Sequence, residues 1–309
     1  MTPAPPRSKL PKTGTTIFTV MSQLAEQHGA VNLSQGFPDF DPPARLIELV
    51  AAELAAGRNQ YAPMAGVVEL REVIAEQVAA RYGAKPDPGS EITITAGATE
   101  ALFCAIVALA GPGDEVVLLD PAYDSYAPSV VLAGARPVHV PLAPPDFGVD
   151  WDRFRAALNE RTRLVVINTP HNPTGSILRS ADLEALAAAI APYDCFVLSD
   201  EVYEHIVFDD AGHASLLSHE ALAARGLAVS SFGKTFHATG WKTGYAIGPQ
   251  ALTDELRRTH QYVTFASTTP LQHAMAKFIR ECPEHLDELP AFYRQKRDYF
   301  LAAMRDTPF

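Results

Sequence analysis

The rhythm of apolar and polar positions changes near residue 90. Before it, the pattern is helical. TIFTVMSQLAEQH predicts a short amphipathic helix, and RLIELVAAELAAG predicts a second one ended by Gly57. Val67, Leu70, Ile74 and Val78 fall on one face of a third, which stops at Gly83. Between the first two, VNLSQGFPDFDPP carries Gly36, Pro38, Pro42 and Pro43 and reads as loop. Residues 1 to about 16 read as an extended arm.

From residue 91 the apolar positions come in short, near-continuous runs. EITITAG, EVVLLD, RLVVINT, CFVLSDE, LAVSSF and KTGYAIG predict strands, with ARPVHVPL following the second. ATEALFCAIVALAG, DWDRFRAAL and ADLEALAAAIAPY predict helices between them. Such alternation predicts an α/β fold: a three-layer sandwich with a mostly parallel central sheet, covered on both faces. Ligands of such sheets bind beyond the carboxyl ends of the strands. ECPEHLDELPAFYRQKRDYFLAAMRDTPF predicts a last helix, and no internal repeat or low-complexity linker interrupts the chain.

Composition narrows the function. With 47% hydrophobic and 20% charged residues over 309 positions, the chain is globular, neither disordered nor fibrous. A net charge of −11 and a pI of about 5.3, with no basic run, argue against nucleic acid and anionic membrane as partners. Cys104, Cys195 and Cys282 are far apart and support neither a disulfide framework nor a zinc site. The start, MTPAPPRSKLPKTG, lacks the apolar stretch of a signal peptide, so the expected location is cytoplasmic.

Five strand ends carry unusual residues. Gly97, Ala98 and Thr99 follow the first strand at a helix start, where free N–H groups could hold a phosphate or simply make a turn. Tyr123 and Tyr126 follow EVVLLD and could stack on a flat ring or cover the sheet edge. Asn172 lies in PHNPTG, which is also good turn chemistry, and His171 reads as a loop histidine. Asp200 ends CFVLSDE, with Tyr203 close behind. A carboxylate there needs an arginine, a metal or a protonated ring nitrogen, unless it caps a helix. Lys234 follows LAVSSF, where solvent exposure is the ordinary fate of one lysine. GKT at 233–235 resembles the tail of a nucleotide-binding loop, but Ala228 stands where that motif needs glycine, and no Gly-x-Gly-x-x-Gly turn occurs. A stacking aromatic, a buried aspartate, a tyrosine, a phosphate turn and a lysine together suit pyridoxal phosphate.

The chain resembles the fold-type I pyridoxal-phosphate aminotransferases of the aspartate-aminotransferase superfamily. Within it, the chain is similar to the methionine and kynurenine/glutamine aminotransferase group. The resemblance rests on SKLPKTGTTIFTVMS, LSQGFPDFDPP, NQYAPMAGVVELREVIA, ITAGATEAL, DPAYDSYAP, NTPHNPTG, SDEVYEHIVF, SSFGKTFHATGWKTGY and FYRQKRD, and runs through nearly the whole chain. It implies that Lys234 forms a Schiff base with the cofactor and that Asp200 holds the pyridine nitrogen protonated. It implies that Asn172 and Tyr203 bond the ring oxygen and that Tyr123 stacks on the ring. Gly97, Ala98, Thr99, Ser231 and Lys242 would take the phosphate. Tyr61 would reach the phosphate of a neighbouring subunit, making a homodimer, and Gly36 would lie, with Asn172 and Tyr123, beside the substrate.

The implied activity is transamination between an L-amino acid (methionine, glutamine, aromatic or kynurenine type) and a 2-oxo acid. The implied domains are 1–40, arm and small-domain portion; 41–283, large cofactor domain; and 284–309, the start of a helix toward a small domain. Family members continue further and supply an arginine for the substrate carboxylate. Arg294, Arg297 and Arg305 lie in no matching motif. The expectation is therefore a C-terminally truncated chain with an incomplete small domain. The alternatives are a carbon–sulfur β-lyase and a cofactor-binding fragment with impaired turnover.

Overall fold

The computed structural model describes residues 7–307, except Lys12, Phe37 and Asp210. Residues 1–6 and Lys12 of the expected arm, and Phe37 of the expected loop, thus lie outside the described residues.

Three helices precede the sheet: α1 (Ile17–His28), α2 (Ala44–Ala55) and α3 (Val68–Tyr82). Each matches its apolar pattern. Thr16 caps α1 by accepting from the Thr19 N–H at 3.3 Å, and Gly83 ends α3 in the left-handed conformation. None of the residues of α1 is buried, whereas α2 and α3 bury Leu46, Leu49, Leu70, Val73, Ile74 and Val78.

Seven strands follow: β1 (Ile92–Thr95), β2 (Glu115–Asp120), β3 (Arg136–Pro141), β4 (Thr162–Asn168), β5 (Phe196–Asp200), β6 (Gly226–Ser231) and β7 (Gly244–Ile247). They form one sheet in the order β1-β7-β6-β5-β4-β2-β3. Only β7 runs against its neighbours, antiparallel to both β6 and β1. It does so because the chain turns back directly after β6, with no long crossover helix to restore direction. At one edge, β3 is largely exposed and carries Pro137 and Pro141, whose missing N–H groups an edge strand tolerates.

The remaining helices are α4 (Ala98–Leu109), α5 (Tyr126–Ala133), α6 (Trp151–Ala157), α7 (Ser180–Ile190), α8 (Glu220–Ala223), α9 (Phe232–Thr235), α10 (Gln250–Val263), α11 (Thr269–Glu281) and α12 (Glu284–Met304). Strand residues alternate between two faces. Val116, Leu118, Leu164, Val166, Leu198 and Leu227 pack with α4, α5 and α10. Val117, Leu119, Val165, Ile167 and Val197 pack with α6, α7 and α8. A third cluster joins α2, α3, α11 and the start of α12 over Ile92, Ile94 and Ile247. The expected three-layer α/β sandwich is therefore the observed one. Five helices, α5, α10, α11 and the one-turn α8 and α9, are not predicted by the sequence pattern.

One close approach sets the geometry at the sheet's end. A Cβ on Gly244 would lie 2.7 Å from both the Ala98 nitrogen and the Ser230 oxygen. β7 can therefore lie against the start of α4 only with no side chain there. Gly244→Ala is expected to destabilise the protein by about 1–3 kcal/mol in urea unfolding, the usual cost of overpacking. A variant as stable as the wild type would show that this contact yields freely.

Candidate active site

A cavity of about 720 Å³ opens beyond the carboxyl ends of β1, β2, β4, β5 and β6. Gly36, Gly97, Ala98, Thr99, Tyr123, Asn172, Asp200, Tyr203, Ser231, Lys234 and Lys242 all line it. Of the residues expected from the sequence, Tyr61 stands apart. It is 86% exposed, with its ring edge-on to Phe265 at 5.7 Å.

Asp200 ends β5, flanked by β4 and β6, and is 3% exposed. Its Oδ2 accepts from the Tyr126 hydroxyl at 2.6 Å and its Oδ1 from the Val202 N–H at 3.3 Å. A tight turn, not a helix, follows it, so helix capping is not its role. Burial pushes the carboxyl up to about 6, against the pull of those two hydrogen bonds. A cation brought against it would be strongly favoured.

Asn168, the last residue of β4, braces the neighbouring turn. Its Nδ2 donates to the Asp200 carbonyl at 2.8 Å, and its Oδ1 accepts from the Asn172 N–H at 2.7 Å. Asn172 is thereby fixed beside Asp200. His171 stays a loop histidine: its Nδ1 pairs with the Thr174 hydroxyl at 2.7 Å. Tyr123 is half-buried and meets Tyr126 edge-on, ring centroids 5.6 Å apart.

On the other side, Gly97 caps α4 with φ of 81°, a conformation that suits glycine. No side chain caps that helix, which leaves its first N–H groups without a partner in the helix, and Gly97, Ala98 and Thr99 line the cavity. Lys242 lies close by: its Nζ is 3.4 Å from where a Gly97 Cβ would stand. Ser231 adds a hydroxyl, which accepts from the Gly233 N–H at 3.1 Å. Helix-start N–H groups, a hydroxyl and an ammonium make a set of donors for a phosphate.

Lys234 sits between the two sides on the short α9 and is half-buried. Its Nζ donates to the Gly36 carbonyl at 2.8 Å and lies 5.5 Å from the centre of the Tyr203 ring. Burial, and then the charge of Lys242, lowers its pKa from the ordinary lysine value. More of it is the neutral, nucleophilic amine near pH 7 than for a surface lysine. Burial, and then the Asp200 charge, pushes the Tyr203 phenol up to about 12, so it remains a hydrogen-bond donor.

The sequence did not single out Asn168 or the Asp200 bond of Tyr126. Nor did it place Ile17 and Phe18 of α1, or Ser34 and Gln35 of the following loop, at the cavity. The polar end of a strand was the available signal for Asn168. For the α1 residues there was none, because an apolar residue on an amphipathic helix ordinarily faces the core.

The profile of the family described as aminotransferase class I and II matches residues 28–309. The chain belongs to this family, and is an aminotransferase. Methionine aminotransferase of Escherichia coli is 56% identical over 99% of this chain and 79% of its own length. A solved structure from the same organism, described as having a methionine aminotransferase function, superposes with a TM-score of 0.97 over 99% of this chain and 80% of its own. A probable N-succinyldiaminopimelate aminotransferase of Mycobacterium tuberculosis is 41% identical over 98% of this chain and 77% of its length. Human kynurenine–oxoglutarate transaminase 1 is 34% identical over 92% and 72% respectively.

Asp200 gives a stability prediction for the cofactor-free protein. Its folded pKa of about 6 lies above the unfolded value, so the folded state binds the extra proton between about pH 4 and 6. Stability from this group is therefore present at low pH and lost as pH rises through 6. Relative to Asp200→Asn, the wild type should lose about 2 kcal/mol between pH 4 and pH 8. Urea unfolding of both proteins at the two pH values checks this. A difference between them that does not change with pH would refute it.

Proposed function

We propose that the protein holds pyridoxal phosphate on Lys234 and moves an amino group between an L-amino acid and a 2-oxo acid. The observation that carries this reading is one cavity holding three things. They are a lysine of lowered pKa, a buried carboxylate in want of a cation, and a cup of phosphate donors. When bound, the cofactor's ring supplies the electron sink for the substrate's Cα–H bond.

The chain's own residues divide the remaining work. Asp200 keeps the ring nitrogen protonated, and the return of charge compensation to that buried carboxylate favours binding. Asn172 and Tyr203 donate hydrogen bonds to the ring oxygen, and Tyr123 covers one ring face. Ala98, Thr99, Ser231 and Lys242 grip the phosphate, with Gly97 shaping the turn. Lys234, with its amine free, would be the base that takes and gives back the proton of the substrate's Cα. Gly36, with Asn172 and Tyr123, borders the place for the substrate.

Methionine, glutamine, aromatic amino acids and kynurenine are the proposed donors. Methionine leads, from the name of the 56% identical relative. The aminotransferase names of the relatives favour oxo-acid exchange over β-elimination. Tyr61 reaching the neighbouring subunit's phosphate belongs to the same proposal, and so does the homodimer it requires. The exposure of its ring suits that role. The absence of buried side chains in α1 supports a domain boundary near residue 40, and the start of α12 supports one near 283. No described helix is long and apolar enough to cross a membrane, and a cytoplasmic location is proposed.

Purified protein mixed with pyridoxal phosphate should develop a visible absorption band, and Lys234→Ala should not. Adding methionine should bleach the band and, with a 2-oxo acid present, release the oxo acid of methionine. Pyruvate and ammonia from a cysteine conjugate would instead indicate a lyase. A band that no amino acid alters would overturn the transaminase proposal.

A further inference from the structure

Behind the cavity, on the far side of the strand ends, lies a carboxylate that the site itself does not use. Glu204 follows Tyr203 in the turn after β5 and is buried, with a side-chain exposure of 7%. Three hydroxyls converge on it. Oε1 accepts from Ser230 at 2.5 Å and from Tyr245 at 2.8 Å, and Oε2 accepts from Tyr82 at 2.5 Å. His205 Nε2 lies 3.9 Å from Oε1. The neighbouring Glu201 is saturated separately, by Ser199, His213 and the Leu216 N–H. Despite its burial, Glu204 is held below the usual carboxylate range, by the His205 and His213 charges and by its hydroxyl donors.

A buried carboxylate is an expensive way to fill space, and apolar packing is often as stable. What distinguishes this one is where its partners stand in the chain. Glu204 is the neighbour of Tyr203. Ser230 is the neighbour of Ser231 on β6. Tyr245 is the neighbour of Gly244 on β7, which abuts the Ala98 nitrogen. Side chains alternate along an extended chain. Each bond to Oε1 therefore ties, from behind, a residue next to one that faces or abuts the cavity. The fourth member, Tyr82, comes from the end of α3 and has no neighbour in the cavity wall.

We infer that Glu204 is a positioning residue: through Ser230 and Tyr245 it sets the spacing between the Tyr203 turn and the phosphate cup. One carboxylate oxygen, shared by two hydroxyls, holds the ends of β5, β6 and β7 in a fixed relation. The ring-oxygen donor and the phosphate donors must be spaced correctly for one rigid ligand, and this oxygen fixes that spacing. The inference rests on the proposed pyridoxal-phosphate reading of the site.

The test compares variants of the bonds on either side of the carboxylate. Ser230→Ala and Tyr245→Phe each remove one hydroxyl from Oε1. Tyr82→Phe removes the hydroxyl from Oε2, away from the cavity. For each, three quantities are read: the unfolding temperature without cofactor, the dissociation constant of pyridoxal phosphate, and the pH midpoint of the visible band. All three variants are expected to unfold at lower temperature. Ser230→Ala and Tyr245→Phe are also expected to bind the cofactor about tenfold more weakly, as for loss of one bond to a charged group. They should raise the pH midpoint, because a displaced Tyr203 no longer disfavours the protonated form. Tyr82→Phe should change neither, and Ser230→Thr, which keeps the hydroxyl, should restore both. The inference is overturned if Ser230→Ala and Tyr245→Phe move the unfolding temperature alone, or if Tyr82→Phe shifts the midpoint equally. A wild type with no visible band at all would sink the underlying reading, and this inference with it.

Discussion

Everything at the cavity turns on the burial of one negative charge. Asp200 stands at the end of the central strand, where neighbouring strands exclude water from both sides. Its two hydrogen bonds do not offset that burial, as the upward push on its pKa shows. The site is therefore incomplete as electrostatics until a cation joins it. Around this deficit the other groups have their meaning. Tyr126 is a donor that cannot neutralise the carboxylate, because burial and Asp200 itself hold the phenol well above its ordinary pKa. Lys234 is nearby but bonds the Gly36 carbonyl instead, and remains an amine available for chemistry.

Much of this was legible in the sequence, for a physical reason. Parallel strands buried on both faces read as unbroken apolar runs, so their ends stand out sharply. Asp200, Lys234 and Asn172 each follow such a run, Gly97 follows the alternating edge strand β1, and the cavity brings all four together. The direction of β7 was not legible, since KTGYAIG alternates the same way whichever way it runs. Helix α10 was missed because its buried stripe includes Thr253 and His260 beside Leu252 and Leu256, which thins the apolar signal.

What escaped the sequence reading altogether was partnership. Nothing local says that Tyr126 bonds Asp200, 74 positions away, or that Tyr82 and Ser230 meet on Glu204. Such contacts are made by the fold, and their residue types are common. The same holds for Ile17 and Phe18, which a helical pattern assigns to a core and the structure places at the cavity. Polar residues that line the cavity at strand ends were visible by position, while residues that brace them were visible only in three dimensions.

Gly244 carries a consequence for how such a site can change. Where β7 passes the start of α4, two main chains touch with no side chain between them. Main-chain dimensions do not vary with sequence, so the width of the cup at that point is a constant of the polypeptide itself. The rim contributed by Ile17, Phe18, Ser34 and Gln35 carries side chains, and side chains can be exchanged. The two halves of the cavity thus obey different tolerances. One end has a fixed gauge, while the other can be recut for a new substrate without disturbing the first.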